Sequence, residues 1–306
     1  MVSLMLSDRY TLGIDIGGTN FRIGLVSADG QLQGYEKQSV ATLEGDDPAA
    51  LLGDAVADYI ARYGVAGRVA AICAGFPATV DKERVRVLNA PNVRGFDGVP
   101  VGHILTERLG ILTLIERDVN LLLVNDMERM AIDSADIAAF YVGTGIGNAM
   151  MIGGQLIAGH NGVAGEVGHI PFGDSVQVCG CGNVGCAEPL AGGLYLAHLA
   201  REIFPETPVG RLFSEHGRSP ELVGFVERLG RVIATEVNII DPEVVLLGGG
   251  VVQMADFPRE ALEKSILSHT RKPLPHDNLR IVYSDATDGD GGVVGAGIFA
   301  WRKIRQ

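Results

Sequence analysis

The residues best equipped for chemistry are crowded into one stretch. Gly165-Glu166-Val167-Gly168-His169 is followed by Cys179-Gly180-Cys181 and then by Cys186-Ala187-Glu188, with glycines throughout. One imidazole, His169, and three thiolates, Cys179, Cys181 and Cys186, make the closed four-donor set that a structural Zn2+ takes, and the glycines let a loop wrap the ion. In a reducing compartment this spacing reads as a metal site rather than a disulfide framework. A zinc ion with no vacant position activates no water, so its part is positional. It fixes the tautomer of His169 and leaves the second ring nitrogen to face a ligand. With Glu166 and Glu188 alongside, that face suits the hydroxyls of a polyol. The plainer alternative is a clip that only pins the loop. The fourth cysteine, Cys73, falls in an apolar run and reads as core.

A second chemistry needs a proton acceptor. Asp118 follows the apolar run Leu112-Thr113-Leu114-Ile115 and stands among Arg117 and Asn120. A carboxylate at a strand end commonly projects into a cleft. There it can accept the proton of an attacking hydroxyl, which in phosphoryl transfer is needed only late, because the transition state is loose. Capping of the helix that follows is the competing use of the same residue.

A third chemistry is anion binding. Asp15-Ile16-Gly17-Gly18-Thr19-Asn20, Gly143-Thr144-Gly145 and Gly248-Gly249-Gly250-Val251 each follow a buried run. Turns of this kind present several backbone N–H groups to a phosphate tail. Each alone is a weak signal, since glycine serves any turn that needs a positive φ. The chain has no G-x-x-x-x-G-K-S/T sequence and does not open on a G-x-G-x-x-G helix start, which disfavours a P-loop or a dinucleotide-binding reading.

The elements that must hold these residues alternate between strand and helix. Thr11–Ile16 and Phe21–Ser27 read as a hairpin around the first glycine turn, Leu32–Val40 as a third strand, and the segment after Asp47 as an amphipathic helix. Val69–Cys73 and Arg84–Leu88 read as strands, Val101–Leu109 as a helix, and the stretch that follows the polar group Glu116–Asn120, through Met130, as another. The second half restarts the theme: Ala138–Val142, a glycine-threonine turn, then Ala149–Ile152. Two such units imply two related α/β lobes. Leu222–Ile240 is the longest helix candidate, Val244–Val251 a buried strand running into a turn, and Val293–Trp301 a closing helix.

Composition bounds the rest. At 306 residues, 47% of them hydrophobic and only 20% charged, the chain can bury a core in each of two lobes. A net charge of -12 argues against general nucleic-acid binding, which needs a basic face to displace counterions. The stretch from Met1 to Tyr10 lacks an apolar core, and later apolar runs are broken by Gly, Asp or Asn. The expectation is a cytoplasmic protein with no membrane span.

Taken together, these motifs resemble the ROK family of sugar kinases and repressors, within the actin-like ATPase superfamily. The likeness runs from Asp15-Ile16-Gly17-Gly18-Thr19-Asn20 to Gly295-Ala296-Gly297, and its most specific part is the set Glu166, His169, Cys179, Cys181, Cys186 and Glu188. The resemblance implies a two-lobed α/β fold of the actin-like, ribonuclease H-like kind with a zinc loop. The smaller lobe would span residues 1–117, rejoined by the helix at about 293–306, and the larger lobe residues 118–292. It also implies that Asp118 is the catalytic base, and that Gly75, Asn92, Arg117, Asp118, Glu166, His169 and Glu188 meet the sugar. By the same resemblance Asp15, Gly17, Gly18, Thr19, Asn20, Gly143, Thr144, Gly145, Gly248, Gly249, Gly250 and Val251 hold ATP with Mg2+. His169 and the three cysteines hold structural Zn2+. A homodimer is the family expectation. ROK repressors carry a DNA-binding domain ahead of the first phosphate turn; here that turn begins at Asp15, which favours the kinase reading.

Two departures from the family pattern bear on the substrate. Arg117 stands where an Asn usually precedes the base, and Gly75-Phe76-Pro77-Ala78 ends in Ala where a Gly is usual. Together with Gly168-His169-Ile170-Pro171 and the late stretch Lys272-Pro273-Leu274-Pro275-His276, they are similar to the D-allose kinases. That likeness implies phosphorylation of allose, with position 6 as the acceptor. Glucose, fructose and N-acetylhexosamine kinases, and a sugar-responsive regulator without a DNA-binding domain, are the alternatives.

Overall fold

The structure, a computed structural model, describes residues 9–173, 175–286 and 288–305. Most of the Met1 to Tyr10 stretch discussed above lies outside them. The chain divides into two compact units. The first comprises Met1–Ile132, Ala158–Ala164 and Ala286–Gln306, the second Asp133–Ile157 and Gly165–Asp285.

The first unit is built on a five-stranded sheet. Strands β1 (Tyr10–Ile16), β2 (Asn20–Val26), β3 (Leu32–Ser39), β4 (Val69–Phe76) and β7 (Thr113–Arg117) lie in the order β3-β2-β1-β4-β7. The hairpin β1–β2 is antiparallel and closes at Ile16 opposite Phe21, while β4 and β7 join β1 in parallel. Strand β3 alternates between half-buried and exposed residues, as an edge strand with one solvated face does. Helices α1 (Pro48–Arg62) and α2 (Val101–Leu109) cover the sheet. The first starts where Asp47 accepts the Ala50 N–H at 2.9 Å.

The C-terminal helix (Gly291–Arg305) returns to this sheet and packs closely on β1 and on α3 (Asp118–Arg129). Its fit depends on missing side chains. A β-carbon at Gly13 would stand 1.9 Å from the Val293 carbonyl oxygen, and one at Gly295 1.9 Å from that of Leu121. Thr11 and Trp301 complete the joint by donating to the carbonyls of Gly297 and Val26, at 2.8 and 3.0 Å. Because α3 is held by this helix, the division of the chain falls after Ile132 rather than at residue 117. The strand expected at Arg84–Leu88 is reduced to β6 (Val87–Asn89), which pairs with β5 (Thr79–Val80). Asp81 draws the N–H groups of Val85 and Arg86 into a turn, with Arg84 at a φ of 58°.

The second unit repeats the plan. Strands β8 (Ile137–Val142), β9 (Ile146–Ile152), β10 (Gln155–Leu156), β11 (Val244–Gly248) and β12 (Arg280–Tyr283) lie in the order β10-β9-β8-β11-β12. Again an antiparallel hairpin, β8–β9, carries a glycine turn, and β11 joins its first strand in parallel. Strands β8 and β11 are buried end to end, as central parallel strands are. The helices are α4 (Glu188–Ala191), α5 (Gly193–Glu202), α6 (Leu212–His216), α7 (Pro220–Ile240) and α8 (Arg259–His269). The long α7 is capped by Ser219, carries Pro220 in its first turn and stops at Asp241 in the left-handed region before Pro242. No helix among the described residues is long and apolar enough to cross a membrane.

Candidate functional site

In the first unit the carboxyl ends of three parallel strands bring the predicted residues side by side. Asp15 on β1 is the register partner of Gly75 on β4, and Phe76 is that of Arg117 on β7. Asp118 follows at once as the first residue of α3, and its carboxylate accepts the Val119 N–H at 2.8 Å. Gly75 has to be bare, because a β-carbon there would lie 2.7 Å from Leu121 Cδ1 and 3.7 Å from Asp118 Cα. The capping reading is thus corrected: Arg117 occupies the cap position, with no side-chain cap bond, and Asp118 stands one residue inside the helix.

The electrostatics single out Asp118. Burial, seconded by the charge of Asp15, pushes its carboxyl up to about 7, against the Val119 N–H and Arg117, which pull it down. Asp15 is itself raised by burial, an effect opposed by the Arg22 guanidinium 2.9 Å away. A carboxylate poised near neutrality at a strand end has the properties of a general base.

Behind Asp118 lies a buried polar cluster that sequence reasoning missed. Glu116, 3% exposed, accepts from Arg84 Nε at 2.6 Å, from Asn120 Nδ2 at 2.9 Å and from the Arg117 N–H at 3.0 Å. Asn120, read as a polar neighbour of Asp118, therefore braces Glu116. Three bonds to one carboxylate pin the corner between β7 and α3, and with it the direction of Asp118. Arg117 donates to the Ala164 carbonyl at 2.8 Å, which ties the Ala158–Ala164 segment to the base. The alternation of charged residues Glu116-Arg117-Asp118 was visible, but not which of them turn inward.

The first glycine turn is closed by the Gly17 N–H on the Asn20 carbonyl at 2.9 Å, leaving Gly18 and Thr19 exposed. Asn92 lies against it, its carbonyl oxygen 3.2 Å from where a Gly18 β-carbon would be. Both residues line a cavity of about 340 Å3 whose walls include Leu43, Glu44, Arg94 and Phe96. The start of the C-terminal helix also joins this site: a β-carbon at Gly292 would stand 2.6 Å from Asp15 Cγ. The expected helix began at Val293, and the Gly291-Gly292 pair before it was the overlooked signal.

In the second unit His169, Cys179, Cys181 and Cys186 come together, with their ligand atoms all within 4.8 Å of one another. Cys179 Sγ is 3.4 Å from His169 Nδ1, and Cys181 Sγ is 3.7 Å from Cys186 Sγ. A tetrahedral Zn2+ with bonds of about 2.3 Å to sulfur and 2.0 Å to nitrogen sets edges of roughly 3.8 and 3.5 Å, so donor set and spacing both fit. The other ring nitrogen of His169, Nε2, is 3.7 Å from Glu166 Oε2. Burial pushes the Cys186 thiol up to about 12, a cost that a bound cation would offset.

Glu188, the first residue of α4, links this cluster to the second glycine turn. Its Oε2 accepts the Ile146 N–H at 3.0 Å, and a β-carbon at Gly145 would stand 2.1 Å from that oxygen. The turn is further held by the Gly193 and Leu194 N–H groups on the carbonyls of Gly143 and Thr144, both at 2.9 Å. The third turn packs beside it: Val251 donates to the Val142 carbonyl at 2.9 Å, and Gly249, at a φ of 91°, leaves no room for a β-carbon against Val142. The predicted ATP residues 143–145 and 248–251 are thus neighbours. The Gly192-Gly193 entry into α5, which sequence reading passed over, belongs with them.

One mixed-sheet α/β unit thus carries a raised, buried carboxyl and a glycine turn, and the second carries two more turns and a Cys3His cluster. The model of the ROK family matches residues 11–303, and the chain belongs to that family. It is 26% identical to a glucokinase of Thermotoga maritima, over 96% of this chain and 98% of that one. It is 30% identical to an N-acetylmannosamine kinase of Escherichia coli, over 79% of this chain and 83% of the relative. Its fold resembles the crystal structure of a ROK family glucokinase from Streptomyces griseus in complex with glucose and AMPPNP. There the TM-score is 0.75 and the identity 25%, covering 96% of this chain and 99% of the other.

Proposed function

We propose that the protein is an ATP-dependent sugar kinase that transfers the γ-phosphoryl group of ATP to a hydroxyl of a free hexose, at position 6. The observation that carries the reading is Asp118: a carboxyl at the end of β7, raised to about 7 and aimed by the Glu116 cluster. The sugar oxygen attacks the γ-phosphorus, the bond to the bridging oxygen of ADP breaks, and the hydroxyl proton passes to Asp118. Backbone N–H groups at 17–20, 143–145 and 248–251 receive the nucleotide, and Asp15 is among the residues that would hold a phosphate-bound Mg2+. That ion would neutralise charge developing on the phosphates. Gly75, Asn92, Arg117, Glu166, His169 and Glu188 are the proposed sugar contacts. His169, Cys179, Cys181 and Cys186 would hold a structural Zn2+, which would orient His169 without taking part in the transfer.

Similarity to glucokinases and N-acetylmannosamine kinases supports the hexose class. Within it we assign D-allose, on the residue before the base, Arg117, and on Ala78 closing the Gly75–Ala78 stretch. An assay of ADP release with Mg-ATP over allose, glucose, mannose, fructose and N-acetylated hexosamines tests both levels, with Asp118→Asn as control. Turnover on allose above the others supports the full assignment. Faster turnover on glucose or N-acetylmannosamine overturns allose, and no sugar-dependent ADP from metal-loaded protein overturns the kinase.

A further inference from the structure

The second unit buries an acid that the proposed reaction does not use. Glu236, on the inner face of α7, is 4% exposed, and Asn148 on β9 is 0% exposed. Asn148 Nδ2 donates to Glu236 Oε1 at 2.9 Å and to the Ala139 carbonyl at 3.1 Å, which uses both of its hydrogens. Among the described residues two acceptors of this pair have no donor, Asn148 Oδ1 and Glu236 Oε2. A buried acceptor left without a donor is costly.

One proton would satisfy both. A carboxylic acid and a primary amide meet edge to edge through two hydrogen bonds, N–H to one acid oxygen and O–H to the amide oxygen. The first of these is in place. Among the described residues no cation offsets a charge on Glu236: burial raises the acid to about 7, against the Asn148 amide, which lowers it. Ionisable groups on the neighbouring elements face other partners. Glu188 of α4 holds the Ile146 N–H, His169 faces Cys179 and Glu166, and His269 of α8 faces Glu227.

The pair also underlies the sugar segment. Gly165, at a φ of 85°, lies so close over the amide that a β-carbon on it would stand 2.1 Å from Asn148 Oδ1. Glu166 is the next residue, and His169 follows within the same turn. We propose that Glu236 is held as the neutral acid, donating its proton to Asn148 Oδ1, and that this acid–amide pair is the positioning device that sets Gly165 and through it Glu166 and His169. The consequence for sugar rests on the kinase reading above; the protonation state does not.

The test has two arms on the metal-loaded full chain. Infrared difference spectra of wild type against Glu236→Gln, at pH 6, read the carbonyl band of a protonated carboxyl. A band lost in the variant is expected, and its absence in wild type overturns the proposal whether or not any sugar is phosphorylated. Kinetics then separate positioning from mere packing. Glu236→Leu, which leaves Asn148 Oδ1 without a donor, raises the sugar KM about 10-fold with a smaller change in kcat. Glu236→Gln, whose amide can both donate and accept, restores most of it. Equal KM losses in the two variants, or none in either, overturn the positioning role.

Discussion

Asp15, near the end of β1, acts on Asp118, the residue that follows β7 on the other side of β4: its charge adds to burial in raising Asp118 to about 7. A base must be ionised to accept a proton, so activity follows the deprotonated fraction. The expected kcat/KM for the sugar rises with pH through about 7 and levels off above it. A limb that moves to lower pH in Asp15→Asn, measured on whatever activity that variant keeps, would confirm the coupling.

Asp118→Asn keeps the shape of the site and removes the proton acceptor. We expect kcat to fall by about 100- to 10,000-fold, with a sugar KM close to that of wild type. Stability should move the other way. Folding raises the Asp118 pKa above its ordinary 3.8, so stability is fullest at low pH and declines as pH rises from there through about 7. Chemical denaturation at pH 8 should find the variant more stable, on the order of 2 kcal/mol.

Glu116 is the brace of that corner. Glu116→Ala leaves Arg84 in a largely buried place without its ion-pair partner and Asn120 without its acceptor. A loss of about 3 kcal/mol in denaturant unfolding is expected. Glu116→Gln, which retains an acceptor for Asn120, should lose less.

The Cys3His cluster predicts one tightly held zinc per chain, measurable by elemental analysis of purified protein. Cys181→Ser should lower occupancy under mild chelation and reduce the melting temperature. Removal should become easier as pH falls, because protons compete for the thiolates.

Gly145 faces Glu188, whose carboxylate joins the second glycine turn to the Cys3His loop. Gly145→Ala places a methyl group 2.1 Å from the present position of Glu188 Oε2, so that side chain must leave the Ile146 N–H. We expect kcat/KM to drop about 10- to 100-fold while zinc content is retained. Normal kinetics would show that Glu188 has no part in substrate contact.

The Cys3His cluster was legible in sequence because its chemistry and spacing are local: three thiols and an imidazole among glycines leave few other uses. The hairpins with glycine turns were legible for the same reason, since a run of apolar residues broken by Gly-Thr dictates its own turn. Helix ends were less so. The C-terminal helix starts at Gly291, where the packing of Gly292 on Asp15 stabilises a start that local propensity opposes.

What the sequence alone determined is the inventory: which residues can bind metal, accept a proton or cradle phosphate, and that they sit on two repeats of one α/β theme. Only tertiary structure decided which charged neighbours turn inward. Glu116, Asp118 and Asn120 are polar residues within four positions of each other, yet one bonds Arg84, one begins a helix with a raised pKa and the third serves as a brace. Glu236 and Asn148 are far apart in the chain and show no signal until β9 and α7 meet. Burial and pairing depend on what the rest of the chain folds around each group, and that information is not local.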